Sequence, residues 1–214
     1  MLFIPTKTKR ITDNIFAVKT MMVNLFVIKN GDNTICIDTG FGKERVRRGL
    51  SRLGIDILSV SHVFLTHSDY DHADCVDLFE KAEVYLSKDE EQMINTTTAR
   101  SFGARYNSPI NSKYNLLKDQ EVVQVGNLVV KGIATPGHTP GSMSYLVNGA
   151  NLFVGDSLAI TNGRAHTFPR FINMDTSTQI ESIKKLAKLK DIKMLFTAHS
   201  GYTANYTNAM KHWI

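Results

Sequence analysis

The chain has 214 residues, of which 43% are hydrophobic, enough to bury one large core, and we expect a single domain over residues 1–214. Its formal net charge of +5 comes from basic residues mixed with acidic ones, as over residues 43–48, which is typical of a solvated surface. The sequence has no zinc-finger spacing, RNA-binding aromatic signature or helix-turn-helix pattern. Nucleic acid is therefore not an expected partner.

Apolar runs and cysteines bear on the compartment of the protein. The run at residues 1–5 is far too short for a secretory signal, and no stretch approaches the roughly 18 to 20 apolar residues of a membrane span. Cys36 and Cys75 do not make a disulfide framework and are interpreted as core thiols. We expect a cytoplasmic protein with no membrane partner, and its oligomeric state is left open.

The first part of the chain predicts strands followed by alternating helices and strands. A β-meander comes first, with a strong turn signal, Asn-Gly-Asp-Asn, at residues 30–33. A helix with apolar residues at helical spacing then ends at Gly54. The predicted strands are residues 15–18, 23–29, 34–37, 62–65 and 83–86, and the predicted helices are residues 43–53 and 73–81.

The second part begins with an irregular segment. Residues 91–119 show little periodicity and are predicted to be partly helical with an irregular loop, which could form a lid. Two hairpins follow, and then an amphipathic helix whose capping box is Thr176 with Gln179. The predicted strands are residues 121–125, 128–133, 142–147, 152–154 and 194–197, and the predicted helix is residues 176–189.

Two hairpins repeat one sequence pattern. Each contains a strand, an Asn-Gly-x-Asn turn, a second strand and an aspartate, and the turn begins at Asn30 in one and at Asn148 in the other. The aspartates, Asp38 and Asp156, follow their turns at the same spacing. Chance similarity of two hairpins is one explanation; the other, which we favour, is two related β-sheets packed face to face with helices outside.

Metal-competent side chains are concentrated where predicted strands end. The run His67-Ser68-Asp69-Tyr70-Asp71-His72 places four of them within six positions, directly after the apolar residues 63–65. Three further candidates, His138, Asp156 and His199, each follow a predicted strand. Histidines and carboxylates at strand ends can converge on a cation. The set therefore predicts a metal site, and a metallohydrolase is the leading interpretation.

The order of these residues resembles the metallo-β-lactamase-fold superfamily, whose pattern is a strand-end aspartate, a His-x-His-x-Asp-His loop, a later histidine, a bridging aspartate and a last histidine. The match runs from Asp38 to His199, and the passage Thr-Pro-Gly-His-Thr-Pro-Gly-Ser at residues 135–142 is similar to the hydroxyacylglutathione hydrolase (glyoxalase II-like) branch. The resemblance implies an α/β fold, a four-layer αββα sandwich in which two mixed β-sheets pack face to face with helices outside.

The same resemblance implies two divalent metal ions in a cleft at one edge of the sheets. The implied ligands are His67, Asp69 and His138 for one ion, Asp71, His72 and His199 for the other, and Asp156 as a bridge. Asp38 would support the loop without binding metal.

Asp69 departs from the pattern because it stands where the family has its second histidine. The extra carboxylate makes the metal core less positive, so the pKa of its bound water should lie above the ~7 of histidine-bound catalytic zinc. Two histidines and one carboxylate suit iron or manganese as well as zinc, and zinc is the first expectation. Replacing Asp69 with histidine should therefore raise the affinity for zinc.

Together, residues and resemblance predict a metal-dependent hydrolase that acts on a small-molecule substrate. A hydroxide held by the two metals would attack an ester, thioester, lactone or phosphodiester bond, and Asp71 would orient that hydroxide and accept its proton. The residues predicted to contact substrate are Arg164, His166, Ser200 and Tyr202, and Met21 with Met22 could form an apolar rim.

Two alternatives stay open. A carboxylate at position 69 also resembles the flavodiiron proteins of the same superfamily, whose loop is His-x-Glu-x-Asp-His. The chain would then be a di-iron oxidoreductase that works with a separate flavoprotein. In the other alternative, Asp69 weakens the first site and the protein is a non-catalytic metal-binding member of the superfamily.

Overall fold

The computed structural model describes residues 3–95, 100 and 106–214. Within these residues a seven-stranded sheet has its strands in chain order. The strands are β1 (Lys9–Arg10), β2 (Ile15–Thr20), β3 (Val23–Asn30), β4 (Asn33–Ile37), β5 (Val60–Phe64), β6 (Glu83–Ser87) and β7 (Tyr114–Leu117). Pairing is antiparallel from β1 to β4 and parallel from β4 to β7, so this sheet is mixed.

A second sheet has six strands in the order β15-β14-β11-β10-β9-β8, and β12 pairs with β13 in a separate two-stranded ribbon. The strands are β8 (Val122–Val125), β9 (Leu128–Ala134), β10 (Met143–Val147), β11 (Asn151–Phe153), β12 (Ala159–Thr161), β13 (Arg164–His166), β14 (Met194–Thr197) and β15 (Gly201–Thr203). The helices are α1 (Lys43–Arg52), α2 (Tyr70–Ala73), α3 (Glu91–Ile94), α4 (Thr176–Ala187) and α5 (Tyr206–Met210). None of the helices in the described part of the chain has the length and apolar character of a membrane-spanning helix.

The repeated hairpin pattern corresponds to equivalent positions in the two sheets. The hairpin β3–β4 is followed by the parallel pair β4–β5, and the hairpin β10–β11 by the parallel pair β11–β14. In the second hairpin both turn residues, Asn148 and Gly149, have positive φ (50° and 67°), as a tight hairpin turn requires. Asp38 and Asp156 follow β4 and β11 and therefore leave their sheets at the same edge.

Alternating side chains of the strands build three hydrophobic clusters, which define four layers. One cluster lies between α1 and the outer face of the first sheet, and it includes Val18, Val46, Leu50 and Val63. The second lies between the two sheets and includes Phe26, Phe64, Tyr145, Phe153 and Phe196. The third lies between the second sheet and α4 and α5, and it includes Leu152, Ile183, Leu186, Leu195 and Met210. The expected αββα sandwich of two mixed sheets is confirmed by this layering.

Two predicted segments differ from the structure. Residues 73–81 do not form one helix; α2 ends at Ala73, and a 3-10 turn covers Val76–Leu78. This turn also buries Cys75, Val76 and Phe79, so apolar spacing alone does not distinguish it from an α-helix. In residues 91–119 the structure shows α3 and the unpredicted strand β7, while residues 96–99 and 101–105, and with them the predicted lid, lie outside the described residues.

Candidate metal centre

The seven predicted ligands meet at one edge of the two sheets. His67, Asp69, Asp71 and His72 come from the segment after β5, and His138 lies between β9 and β10. Asp156 follows β11, and His199 lies between β14 and β15. The parallel strands of each sheet end at this edge, where side chains from distant parts of the chain converge.

The first cluster consists of His67, Asp69 and His138, whose ligand atoms all lie within 4.8 Å of one another. Oδ2 of Asp69 is 3.5 Å from Nε2 of His67 and 3.1 Å from Nε2 of His138. All three residues are buried. The first cluster therefore directs two imidazole nitrogens and a carboxylate oxygen to one small volume.

The second cluster consists of Asp71, His72 and His199, also with ligand atoms within 4.8 Å of one another. Nε2 of His199 is 3.3 Å from Oδ2 of Asp71 and 3.4 Å from Nε2 of His72. Asp156 contacts both clusters, because its Oδ2 lies 3.4 Å from Nε2 of His138 and 3.3 Å from Nε2 of His199.

Two features of the clusters suit a metal ion: buried polar atoms that lack hydrogen-bond partners, and the chemistry of the donor groups. Among the described residues, Nε2 of His67 and Oδ1 of Asp156 are buried without a hydrogen-bond partner. Such buried polar groups are costly unless a ligand satisfies them. Imidazole and carboxylate donors are the ligands that zinc, iron and manganese accept in proteins. The residues present are thus suited to the cation that the sequence predicts.

Hydrogen bonds on the far side of the rings orient the histidines. Nδ1 of His72 donates to Oδ2 of Asp38 (2.8 Å), and Nδ1 of His199 donates to the carbonyl oxygen of Met22 (2.6 Å). Because these acceptors hold a proton on Nδ1, Nε2 is the atom that each ring directs to the second cluster and the one that would bind a metal ion. Oδ1 of Asp38 also accepts from the backbone nitrogen of Thr66 (2.7 Å), one residue before His67.

The pKa values reflect a concentration of buried carboxylates beside imidazoles. Burial lowers the pKa of His199, but the carboxylates of Asp156 and Asp71 outweigh burial and raise the pKa to about 10. The pKa of His72 is raised well above its usual value for the same reason. Burial raises the pKa of Asp156, yet the neighbouring histidines hold it well below the usual range. The buried carboxylates therefore favour positive charge at this edge, which the imidazoles supply by taking up protons and a metal ion could supply in their place.

The first cluster holds an ionised carboxylate beside a neutral histidine. Burial alone would raise the pKa of Asp69, but His67 and His138 lower it far below its usual range. Burial lowers the pKa of His138. An ionised Asp69 and a neutral His138 are the protonation states that metal binding requires.

Arg100 is a residue of this centre that sequence reasoning missed. Its Nη1 donates to Oδ2 of Asp69 and lies 2.9 Å from Nε2 of His138, and its Nη2 donates to the carbonyl oxygen of Ile172. Its side chain is 3% exposed. Arg100 lies in the segment without periodicity, where a single arginine carries no signal that separates it from a surface residue.

Glu90 was also missed. Its Oε1 accepts from the backbone nitrogen and Oγ of Ser68 (2.8 and 2.7 Å), and its Oε2 accepts from Oγ1 of Thr139 and the backbone nitrogen of Gly141 (2.6 and 3.2 Å). Ser68 adjoins His67 and Thr139 adjoins His138, so the buried carboxylate joins the two loops that carry these ligands. A Cβ at Gly141 would overlap the backbone of Glu90, so only glycine fits at this position without moving that backbone.

None of the four residues predicted to contact substrate is among the clustered ligands of the described residues. Arg164 and His166 are exposed on the ribbon strand β13. Oγ of Ser200 accepts from the backbone nitrogen of Ile160 (2.7 Å), and the hydroxyl of Tyr202 accepts from Nζ of Lys9 (3.2 Å). For all four residues substrate contact stays a prediction.

A mainly apolar cavity adjoins the second cluster. It has a volume of about 350 Å³ and is lined by Met21, Met22, Phe41, Tyr70, Asp71 and Tyr106. The side chain of Asp71 is 22% exposed, whereas that of His72 is fully buried. The hydroxyl of Tyr106 donates to Oδ1 of Asp71 (3.3 Å). The second cluster is therefore reachable from solvent through a cavity of the size that small ligands occupy.

The sequence was compared with models of protein families and with known proteins. The model of the Metallo-beta-lactamase superfamily matches residues 18–199. A probable metallo-hydrolase of Methanocaldococcus jannaschii is 31% identical over 154 residues, which is 72% of this chain and 64% of that protein. A probable polyketide biosynthesis zinc-dependent hydrolase of Bacillus subtilis, PksB, is 31% identical over 129 residues, which is 59% of this chain and 50% of that protein.

A solved structure shares the fold. A B3 metallo-beta-lactamase with an active-site glutamic acid superposes with a TM-score of 0.75 at 19% identity, covering 99% of this chain and 87% of that one. The chain spans only 64% and 50% of the lengths of the two sequence relatives. The activities of those whole proteins are therefore not carried over by similarity alone.

Proposed function

The chain belongs to the metallo-beta-lactamase superfamily, and from this membership we propose that it is a metal-dependent hydrolase that acts on a small molecule. One observation carries the proposal: two clusters of histidines and aspartates share Asp156, and His67 Nε2 and Asp156 Oδ1 are buried without a hydrogen-bond partner among the described residues. The hydrolase names of the two sequence relatives support the same class of reaction.

The proposed cofactor is two divalent ions, with zinc as the first candidate and iron or manganese as the others. One would be held by the first cluster, the other by the second, and Asp156 would contact both. When bound, the metal supplies Lewis acidity that activates water as a nucleophile and polarises a carbonyl or phosphoryl oxygen.

Asp71 is the proposed general base. Its carboxylate is the part of the second cluster that reaches solvent, and the Tyr106 hydroxyl and Nε2 of His199 hold its two oxygens at 3.3 Å each. Neighbouring histidines hold the pKa of Asp71 below its usual value despite burial, so the carboxylate is ionised and can accept a proton from the nucleophile.

The cavity beside Asp71 supports a substrate with an apolar group next to the bond that is cleaved. Its walls are methionine and aromatic side chains, and Met21 and Met22 are 48% and 54% exposed at its mouth. Such walls bind apolar groups with little directional constraint. The proposed substrates are esters, thioesters, lactones or phosphodiesters that carry an apolar group.

The carboxylate of Asp69 supports a second candidate function. Two histidines and one carboxylate form a donor set that suits non-heme iron, so the protein could be a di-iron oxidoreductase that receives electrons from a separate flavoprotein. The metal that copurifies with the chain distinguishes the two candidates.

The test is elemental analysis of the purified protein together with a hydrolysis screen. We expect zinc or manganese, and turnover of at least one ester, thioester, lactone or phosphodiester whose rate increases with the length of an apolar substituent. Asp71→Asn should lower kcat by at least about a hundredfold while folding is retained. The matched control is Asp77→Asn, an exposed carboxylate on the same segment that pairs with Lys43.

If iron copurifies with the protein and no compound in the panel is hydrolysed, the hydrolase is overturned in favour of the di-iron oxidoreductase. Protein that binds less than one equivalent of any metal would overturn both candidates.

A further inference from the structure

The guanidinium of Arg100 lies among the donor atoms of the first cluster. Nη1 donates to Oδ2 of Asp69 and is 2.9 Å from Nε2 of His138, so it contacts two of the three donors that would hold a cation there. Nδ1 of His138 lies 3.3 Å from Oδ1 of Asn173, an acceptor for its proton. With the proton on Nδ1, the lone pair of Nε2 faces the donor Nη1, although Oδ2 of Asp69 is also 3.1 Å away. That lone pair is the one a metal ion would need.

Arg100 is held in this position by neighbours and not only by the charge of Asp69. Nη2 donates to the carbonyl oxygen of Ile172, and the backbone nitrogen donates to Oδ1 of Asn107 (2.8 Å). Asn107 in turn donates from Nδ2 to Oδ1 of Asp69 (3.0 Å). A side chain that is 3% exposed and fixed from several sides is part of the centre.

The charges make Arg100 and Asp69 a matched pair. Arginine stays protonated at any accessible pH, so its charge cannot be removed to admit a metal ion. A histidine at position 69 would leave that buried charge without a carboxylate, which is costly. The pairing therefore gives a physical reason for the aspartate that replaces the expected histidine.

We propose that Arg100 is an internal cation that competes with the metal ion for the first cluster. A metal ion must displace Nη1 from Asp69 and His138, whereas the contacts of the second cluster among the described residues include no arginine or lysine. The two clusters consequently have unequal affinities, and the first fills last. This inference rests on the metal binding of the proposed function, but not on any substrate.

The experiment is a zinc titration of the metal-free full-length protein against a chromophoric chelator, with elemental analysis after dialysis. We expect the wild type to show one tight and one weaker step, with Kd values at least tenfold apart. In Arg100→Gln the weaker step should tighten at least tenfold while the tight step stays unchanged. The matched control is Arg48→Gln, an exposed arginine on α1, which should change neither step.

A second variant assigns the steps and does not depend on how Arg100→Gln folds. His138→Ala should abolish the weaker step and keep the tight one, because His138 belongs to the first cluster. Two wild-type steps within about threefold of each other would overturn the inference, as would loss of the tight step in His138→Ala. Hydrolysis by a protein with two equal sites would leave the proposed function standing, whereas no zinc binding at all would overturn both.

Discussion

The two clusters of the metal centre lie side by side but differ in what surrounds them. The first cluster is buried, and its Asp69 is paired with Arg100. The second cluster opens through Asp71 onto a cavity of about 350 Å³ with methionine and aromatic walls. Both clusters share Asp156, so the difference lies in solvent access and local charge more than in donor chemistry.

This contrast suggests a division of roles at one edge of the fold. A buried charge needs a partner, and the first cluster has one within the protein. In the second cluster the carboxylates of Asp71 and Asp156 face His72 and His199, with no internal arginine or lysine among the contacts that the structure describes. The second cluster thus has no fixed guanidinium or ammonium group among the described contacts, and it adjoins the cavity that we propose for the substrate.

Asp156→Asn should have the largest effect, because it removes a charge that both clusters share. We expect the zinc affinity of both sites to fall by more than about a hundredfold, and turnover with it. Elemental analysis after dialysis and a rate measurement on the same sample check this. Asp77→Asn, whose exposed carboxylate pairs with Lys43, should retain metal and rate. An Asp156→Asn protein with full metal content would contradict the assignment of Asp156 as a shared ligand.

Glu90→Gln should lower the zinc affinity of the first cluster more than that of the second. An amide nitrogen in place of one oxygen would face hydrogen-bond donors from Ser68 or from Thr139 and Gly141. We expect about 1–3 kcal/mol lower stability toward urea and a first-cluster affinity lower by roughly 10 to 100-fold, with a smaller change in the second. Glu80→Gln, at an exposed position, is the control. Equal losses in both clusters would mean that Glu90 does not act on the first one selectively.

Asp69→His tests the pairing with Arg100 through a double-mutant cycle. The single variant leaves the guanidinium facing imidazoles, so zinc affinity should not rise, contrary to what the sequence pattern alone predicts. In Asp69→His with Arg100→Gln the first cluster should bind zinc at least about tenfold more tightly than in Arg100→Gln alone, because histidine at position 69 helps only when the guanidinium is gone. Isothermal titration of the wild type, both single variants and the double variant measures the coupling. Additive effects would show that the two side chains act independently.

Cys75→Ser should have the smallest effect. The Cys75 thiol is buried in the hydrophobic cluster under α1 and is not among the clustered ligands. Burial raises its pKa to about 12, which makes it a poor metal ligand at neutral pH. Metal content and turnover should stay within about twofold of the wild type, with at most about 1–3 kcal/mol lost from stability by burying a hydroxyl. Loss of one metal equivalent would place this thiol in the centre.

Local patterns predicted the longer strands and the helices α1 and α4, whereas the four-layer sandwich was implied by the family resemblance. Strands such as β3 and β4 are rich in apolar residues and lie on either side of an Asn-Gly turn, and the burial of their apolar residues follows from this composition. The helix predicted over residues 73–81 was wrong because the same apolar residues can be buried by a tight 3-10 turn. Strand β7 was missed because it is only four residues long and its polar Asn115 interrupts the apolar run.

The sequence by itself determined which side chains were candidates for the metal centre, because His67, Asp71, His72 and the others directly follow strands whose ends must share an edge. Only the tertiary structure decided what stands beside them. Arg100 reaches Asp69 across 31 positions, and Glu90 joins two loops that are far apart in the chain. Such contacts depend on how segments without periodicity pack against the sheets, and packing of that kind leaves no local signature in the sequence.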